Sequence, residues 1–401
     1  MTDMAKAKTA VIMVGLPARR KTFLSLRLHR YLEWQGYRVR IFNAGAYRRD
    51  TLGLDTGRSD FFDPRVERFV KEREKIAKRC FSDLTDWLRA AGDIAVYDAT
   101  NVTPARREYL SGECLANGFD YVFVENIAQD PGALAKVMDA KLKNSADYKN
   151  SDMESAREDF RRRIAHYERV YETVSPAFPY VKVFNFGEKT EKNLGAGNAL
   201  LEEIAEFLGS VNLAVKDVYI TRHGETSFNL EDRIGGDSPL TGKGLEFAGR
   251  LKVFFQGRDL VVFTSGKLRA VESAGPIEGM KLELEELNEI SSGVCDGMSY
   301  GEIASRYPEI CGSRKRDKFN FRYPRGESYR DLIQRVKKAV VKIESRRKDV
   351  LVIAHRAVNR CLFSYFIPTP QEEIPYIDMP LDRVIKIRPQ RALYDYEVLS
   401  V

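Results

Sequence analysis

The chain has 401 residues, of which 43% are hydrophobic and 31% are charged, and its formal net charge is +7. This length favours two domains over one, and the composition is that of a soluble globular protein. No stretch reaches the roughly 20 apolar residues of a membrane-spanning helix, and the start of the chain lacks a signal-peptide core, so membrane partners are excluded and a cytoplasmic location is expected.

The cysteines and the net charge further limit the kinds of site and partner that fit the chain. Five cysteines are scattered along the chain without the spacing of a metal site, so free thiols are expected. The pI near 9.0 fits a nucleic-acid partner and a phosphate-ester substrate equally well. Many of the basic residues lie in the motifs described below, which favours the phosphate ester.

The chain begins with the pattern of a nucleotide-binding loop. A predicted strand at residues 9–14 leads into the loop that starts at Gly15, and a helical pattern follows at residues 23–35. Lys21 and Thr22 stand at the start of that helix. In a P-loop, backbone N–H groups and the lysine bind nucleotide phosphates, and the hydroxyl binds Mg²⁺.

One position departs from that motif. Arg20 stands where the P-loop has its second glycine, which normally keeps side-chain bulk away from the phosphates. The arginine must turn away, fill the nucleotide's place or add a charge to it. The sequence therefore predicts a weakened or altered nucleotide site.

Two further polar motifs follow strands in the first half. Arg48 and Arg49 follow a predicted strand at residues 37–42, and such a pair is either an exposed turn or a phosphate clamp. A second buried strand ends in Asp98. A carboxylate beside a P-loop can orient Mg²⁺ or accept the proton of a sugar hydroxyl.

The remaining elements complete an α/β pattern in this half. Strands are predicted at residues 121–125 and 181–186, and a closing helix at residues 193–208. Apolar strands that alternate with helices predict a mainly parallel sheet covered by helices.

The second half contains two strands that end in histidine. Residues 218–221 run into Arg222 and His223, and residues 350–354 run into His355. A guanidinium binds phosphate oxygens bidentately, and an adjacent imidazole can attack phosphorus. A single such motif is more often structural.

Two later residues strengthen the catalytic interpretation. Arg269 follows the predicted strand at residues 260–263, and Glu289 is flanked by apolar residues. With the two histidines, they supply the nucleophile, the phosphate clamps and the proton donor that phosphoryl transfer through histidine requires. Because these fixed cations neutralise the developing charge, no metal or other cofactor is expected in this half.

These motifs resemble a known family. Residues from about 217 onward resemble the histidine phosphatase (phosphoglycerate-mutase-like) superfamily. Four stretches are similar to the phosphatase half of the bifunctional 6-phosphofructo-2-kinase/fructose-2,6-bisphosphatases: RIGGDS (233–238), LNEI (287–290), GVCD (293–296) and YPRGESY (323–329). The first half follows in that family's domain order. The resemblance implies two three-layer α/β domains, a P-loop kinase-like domain at 1–215 and a histidine-phosphatase domain at 216–401.

For the second half, the resemblance implies hydrolysis of the 2-phosphate of fructose 2,6-bisphosphate through a phosphohistidine. His223 would attack, Glu289 would protonate the leaving oxygen, and the 2-phosphate would be held by Arg222, Arg269 and His355. Asn229 also matches the family's catalytic set. The matches to 6-phosphate ligands are Tyr300, Arg314, Lys318, Tyr329 and Arg360, with Arg356 in place of the usual glutamine. The basic run at 314–318 is also compatible with an exposed charged loop.

For the first half, the resemblance implies transfer of phosphate from ATP, bound with Mg²⁺, to fructose 6-phosphate. Gly15, Lys21, Thr22 and Lys141 would contact the nucleotide, with Thr22 at the Mg²⁺, and Asp98 would lie near the attacking hydroxyl. The matches to sugar-phosphate ligands are Arg48, Arg49, Thr100, Arg106, Arg163 and Tyr167. The departures from the family pattern are Arg20, Val102, Pro104 and Ala128, which predict weak or absent kinase activity.

Two other functions are compatible with the motifs. A nucleic-acid end-processing enzyme also combines a P-loop kinase with a phosphatase, but it would need a groove with interleaved aromatic residues. Alternatively, the first half senses nucleotide or hexose phosphate without catalysis and provides a dimer surface. We expect a homodimer with no nucleic-acid partner.

Overall fold

The computed structural model describes residues 8–149, 151–195, 197–212, 216–390 and 393–401. The chain divides into two compact units, one up to residue 211 and one from residue 212 onward, with residues 34–36 grouped in the second. The predicted domain boundary lies directly after residues 213–215, which are outside the described part of the chain. Its position therefore stays a prediction. Among the described residues, no helix is both long and apolar enough to cross a bilayer.

The first unit is built on a six-stranded, mainly parallel sheet. Its strands are β1 (Thr9–Val14), β2 (Val39–Asn43), β3 (Ile94–Asp98), β4 (Asp120–Ile127), β5 (Tyr180–Phe184) and β6 (Lys189–Asn193). They lie in the order β2-β3-β1-β4-β5-β6, and only β6 runs antiparallel to its neighbour. The strand order reverses beside β1, so the crevice at the carboxyl ends of β1 and β3 is the expected ligand site.

In the described part of this unit, seven α-helices accompany the sheet. They are α1 (Lys21–Trp34), α2 (Ala44–Leu52), α3 (Glu67–Ala90), α4 (Pro104–Ala116), α5 (Pro131–Asn144), α6 (Met153–Glu168) and α7 (Ala199–Ser210). The helix predicted from residue 193 is wrong at its start, because β6 occupies residues 189–193. Gly195 and Gly197 take positive φ values, and the helix begins only after Asn198, whose side chain accepts hydrogen bonds from the first turn.

The second unit has its own six-stranded sheet. Its strands are β7 (Val218–Arg222), β8 (Leu260–Thr264), β9 (Met280–Glu283), β10 (Asp349–Ala354), β11 (Arg383–Gln390) and β12 (Leu393–Ser400). The order is β12-β11-β7-β10-β8-β9. Strands β7, β8, β9 and β10 are parallel to one another, and β11 runs antiparallel to both of its neighbours, β7 and β12. Because Arg222 pairs with Ala354 across β7 and β10, the residues that follow these strands emerge at one edge.

The helices of the second unit lie between these strands along the chain. They are α8 (Ser227–Leu230), α9 (Gly242–Phe255), α10 (Leu268–Ala274), α11 (Tyr300–Arg306), α12 (Pro308–Arg316), α13 (Tyr329–Glu344) and α14 (Arg356–Phe366). Each unit therefore contains a mainly parallel sheet and helices, which confirms the predicted α/β fold class.

Candidate active sites

The two histidines that follow β7 and β10 meet at one edge of the second sheet. The ring centres of His223 and His355 are 5.1 Å apart. Both side chains are buried, with 4% and 0% of their surface exposed. Two imidazoles far apart along the chain thus lie next to each other, as parallel strands in register allow.

The hydrogen bonds of His223 fix which nitrogen is free to react. Its Nδ1 lies 2.7 Å from the carbonyl oxygen of Gly224, which can only accept, so Nδ1 carries the proton. Nε2 therefore holds the lone pair, and Nε of Arg269 donates to it at 3.2 Å. Burial, followed by the charge of Arg269, lowers the pKa of His223 to about 3. The imidazole is neutral at physiological pH, which a nucleophile requires.

Gly224 allows this packing. A Cβ at this position would lie 2.5 Å from the carbonyl oxygen of Gly244. The N–H of Gly224 donates to Oγ of Ser273 at 2.9 Å, which fixes the turn after His223. A larger residue at 224 would collide with the backbone of Gly244.

Two buried guanidiniums lie near the imidazoles, and one carboxylate acts on both guanidiniums. Arg222 donates to the carbonyl of Met379 at 3.2 Å, and burial, with the charge of Arg356 next, lowers its pKa to about 10. Arg269 donates to the carbonyl of Gly236 at 2.9 Å. Glu289 interacts electrostatically with both arginines and lines a cavity of about 1080 Å³.

Ser265, to which the sequence analysis gave no role, holds the second histidine. Its Oγ lies 2.8 Å from Nε2 of His355. Nδ1 of His355 is buried and has no hydrogen-bond partner among the described residues. A buried imidazole nitrogen without a partner is costly, so a ligand oxygen that reached it would be stabilised.

A second group of cations lies in the same unit. Burial lowers the pKa of Lys318 to about 8, and the next causes are the charges of Arg314, Arg360 and Arg356, in that order. Nη1 of Arg360 donates to the hydroxyl of Tyr329 at 3.1 Å. The structure thus brings together four of the basic residues that the resemblance singled out, and mutual repulsion makes the group a favourable site for an anion.

Two further predicted site residues, one from the 6-phosphate set and one from the catalytic set, have these surroundings. Tyr300 is 40% exposed, and its ring lies 5.5 Å from the guanidinium of Arg314. Asn229 is used locally: its Oδ1 accepts from the N–H of Thr226 and completes a capping box at the start of α8. Thr and Asn at this spacing are a helix-start signal that the sequence analysis did not use.

The predicted P-loop residues of the first unit lie at the carboxyl ends of β1 and β3. Oγ1 of Thr22 donates to Oδ2 of Asp98 at 2.6 Å, and Nδ2 of Asn43 donates to the same oxygen at 2.5 Å. Nζ of Lys21 donates to the carbonyls of Gly15 and Leu16, each at 2.7 Å. Burial lowers the pKa of Lys21 to about 7, with the charge of Lys141 the next cause.

Arg20 adopts the backbone conformation that a glycine would take. Its φ is 57°, in the left-handed region, which costs about 1–2 kcal/mol for a residue with a Cβ. Its guanidinium carbon lies 5.5 Å from the ring centre of Phe23 on α1. The effect of Arg20 on nucleotide binding stays a prediction. Gly15 has a φ of 133°, and a Cβ there would lie 2.6 Å from the carbonyl of Asn126.

The predicted sugar-phosphate arginines share two neighbours that the sequence analysis missed. Nη2 of Arg48 donates to both carboxylate oxygens of Asp147, at 2.6 and 2.7 Å, and Arg163 lies 3.5 Å from the same carboxylate. The ring of Phe62 lies 3.7 Å from the guanidinium of Arg163 and 5.7 Å from the ring of Tyr167. Spacing in the sequence gives no sign of these long-range contacts.

The other predicted ligands of this unit have varied surroundings. Arg106 forms an ion pair with Glu74. The carbonyl of Thr100 accepts from the N–H of Gly15 at 2.9 Å. Desolvation of its ammonium group, followed by the charge of Arg163, lowers the pKa of Lys141 to about 8. The charge of Arg49 also acts on Lys141, so these groups lie near one another.

The other departures from the family pattern have simple local settings. Pro104 is the first residue of α4, where its missing N–H is not needed. Val102 and Ala128 are 5% and 6% exposed and belong to the hydrophobic core.

Comparison with known proteins covers both units. The family model of 6-phosphofructo-2-kinase matches residues 1–207, and that of the histidine phosphatase superfamily (branch 1) matches residues 218–399. The chain is 36% identical over 416 residues to a 6-phosphofructo-2-kinase/fructose-2,6-bisphosphatase of Caenorhabditis elegans, covering 100% of this chain and 90% of that one. It is 39% identical over 408 residues to 6-phosphofructo-2-kinase/fructose-2,6-bisphosphatase 4 of Rattus norvegicus, covering 99% and 86%. The chain belongs to the 6-phosphofructo-2-kinase/fructose-2,6-bisphosphatase family.

Membership in the 6-phosphofructo-2-kinase/fructose-2,6-bisphosphatase family confirms the resemblance drawn from the motifs. It also confirms that a kinase-family domain precedes a histidine-phosphatase domain. The roles of individual residues and the pairing of subunits stay predictions.

Proposed function

We propose that this chain controls the level of fructose 2,6-bisphosphate, with a phosphatase in its second half and a 6-phosphofructo-2-kinase in its first. The observation that carries the phosphatase proposal is the neutral imidazole of His223, whose Nε2 lone pair faces a guanidinium beside a second buried imidazole. Such a group is ready to accept a phosphoryl group.

The proposed reaction has two steps. Nε2 of His223 attacks the phosphorus of the 2-phosphate, the bond from phosphorus to the C2 oxygen breaks, and Glu289 gives its proton to that oxygen. Water then attacks the phosphorus of the phosphohistidine and gives a proton to Glu289, the bond from phosphorus to Nε2 of His223 breaks, and inorganic phosphate leaves. Arg222 and Arg269 stabilise the charge on the phosphoryl oxygens, as fixed cations in a buried site do.

A paired assay tests the whole proposal. Purified protein is given fructose 2,6-bisphosphate in one reaction and ATP, Mg²⁺ and fructose 6-phosphate in another. Release of the 2-phosphate and formation of the bisphosphate are the expected results. If neither occurs while a phosphorylated nucleic-acid end is processed, the end-processing alternative replaces this proposal.

The second cation group supports a substrate with two phosphates. Lys318, Arg314 and Arg360 would bind the 6-phosphate, with Arg356 beside them. The family's usual glutamine at this last position carries no charge, so the arginine would strengthen phosphate binding and slow product release.

This assignment predicts a pH dependence of substrate binding. The pKa of Lys318 is lowered to about 8, so its ammonium is charged below that pH and neutral above it. We expect KM for fructose 2,6-bisphosphate to rise as pH increases through about 8. Lys318→Arg, whose guanidinium stays charged, is the matched control and should flatten the rise. A KM in the wild type that is constant across this range contradicts the role of Lys318.

For the kinase reaction, we propose that ATP binds over the P-loop and fructose 6-phosphate near Arg48 and Arg163. Oxygen ligands suit Mg²⁺, and Oγ1 of Thr22 lies 2.6 Å from the carboxylate of Asp98, so Thr22 would hold the ion together with the ATP phosphates. Bound Mg²⁺ would neutralise charge on the phosphates. Asp98 would accept the proton of the attacking hydroxyl.

Arg20→Gly tests whether the kinase site is weakened. We expect the variant to bind ATP several-fold more tightly, since glycine takes a positive φ without strain and leaves the loop free to close on phosphates. Arg27→Ala is the control, because Arg27 also lies on the ring of Phe23, at 5.2 Å, but stands within α1. Isothermal titration measures both. Equal, tight binding by wild type and Arg20→Gly refutes the weakening.

A further inference from the structure

The backbone segment that carries Glu289 is held by a single guanidinium. Nη1 of Arg335, on α13, donates to the carbonyls of Asn288 at 2.8 Å and Glu286 at 2.9 Å. It also lies 3.3 Å from the carbonyl of Glu285, and Nη2 donates to the carbonyl of Glu289 itself at 3.3 Å. One side chain therefore binds four carbonyls of the segment 285–289.

Glu327 fixes the orientation of that guanidinium. Its two oxygens accept from Nε and Nη2 of Arg335, each at 2.8 Å, in the parallel geometry that suits a carboxylate. The same carboxylate accepts from the N–H of Ser291, and the N–H of Glu327 donates to the carbonyl of Ser291, both at 2.9 Å. The pair is largely buried, with exposed fractions of 24% for Arg335 and 21% for Glu327.

Arg335 and Glu327 thus hold the chain on both sides of Glu289. The carboxyl of Glu289 accepts from the adjacent N–H of Ile290 at 2.9 Å, so its position follows the local backbone. A proton donor must reach the leaving oxygen within hydrogen-bond distance, and a displacement of about 1 Å can cost on the order of a hundredfold in rate.

We infer that Arg335, oriented by Glu327, is a positioning residue that sets the reach of Glu289 as proton donor in the phosphatase reaction. The inference rests on the proposed role of Glu289. Arg335 need not touch the substrate, and its effect passes through the carbonyls of residues 285–289.

The test uses two substrates that differ in their need for a proton. Arg335→Lys keeps the charge but loses the planar fork that binds several carbonyls at once. We expect single-turnover phosphoryl transfer from fructose 2,6-bisphosphate to fall roughly tenfold to a hundredfold. Transfer from p-nitrophenyl phosphate, whose leaving group needs no proton, should change by less than about twofold. A defect in folding would slow both substrates alike.

Three further variants make the test decisive. Lys342→Met is the matched control, because Lys342 lies on the same helix and binds the side chain of Glu286 at 3.0 Å. It should leave the ratio of the two rates unchanged. Glu289→Gln should shift that ratio as Arg335→Lys does, and the double variant should shift it no further than Glu289→Gln alone.

The outcomes separate the two ideas. Equal slowing of both substrates by Arg335→Lys at an unchanged thermal unfolding temperature overturns the positioning role alone. So does an unchanged rate with the bisphosphate while Glu289→Gln slows it. No effect of Glu289→Gln on either substrate overturns the proposed proton donor itself.

Discussion

His223→Ala is expected to lower hydrolysis of fructose 2,6-bisphosphate by about four orders of magnitude or more, the scale seen when a catalytic nucleophile is removed. The substitution deletes the Nε2 lone pair that faces Arg269, and the ring of His355, 5.1 Å away, is fixed on Ser265. The measurement is the initial rate of 2-phosphate release at saturating substrate.

Folding must be controlled in this variant, because His223 is buried. The thermal unfolding temperature of the same preparation serves that purpose, and it should stay close to wild type. A turnover rate within about tenfold of wild type would show that another group attacks phosphorus.

Asp98→Asn is expected to lower synthesis of fructose 2,6-bisphosphate by roughly two to four orders of magnitude, the usual range for loss of a general base. The amide keeps the shape of the side chain but cannot accept a proton in the reaction. The carboxylate is 3% exposed and held by Thr22 and Asn43, so little rearrangement is expected. Initial rates at saturating ATP and fructose 6-phosphate measure the effect.

Magnesium titration of this variant distinguishes the two roles considered for Asp98. If the carboxylate mainly orients Mg²⁺, a large excess of the ion should restore much of the rate. If it accepts the hydroxyl proton, excess Mg²⁺ should restore little, which is the result we expect. A wild-type protein with no kinase turnover, but with a thermal shift on adding ATP, would favour the non-catalytic sensing domain.

The elements that carry the proposed chemistry were predictable because they follow buried strands. The apolar runs expected of central parallel strands occur in β1 and β3 of the first sheet and in β7, β8 and β10 of the second. In each sheet, the polar residues after these strands must emerge at the same edge. That rule alone brings His223 close to His355 and Thr22 close to Asp98. The sheet order places β7 next to β10 and β1 next to β3, so the residues after these strands become neighbours.

The supporting residues were not predictable, since their contacts join distant parts of the chain. Asp147 lies 99 residues from Arg48, and Ser265 lies 90 residues from His355. Arg335 sits in an amphipathic helix, where a charged residue normally faces solvent. The strand β6 was missed because its side chains are all exposed and show no alternating apolar pattern.

The most direct test of the account is to find where the phosphoryl group resides during turnover. Protein mixed with fructose 2,6-bisphosphate that carries isotopic label in the 2-phosphate is quenched within a single turnover, and the labelled peptide is identified. The account predicts an alkali-stable phosphohistidine at residue 223. Turnover without covalent label in wild-type protein, or label on His355 instead, would contradict it.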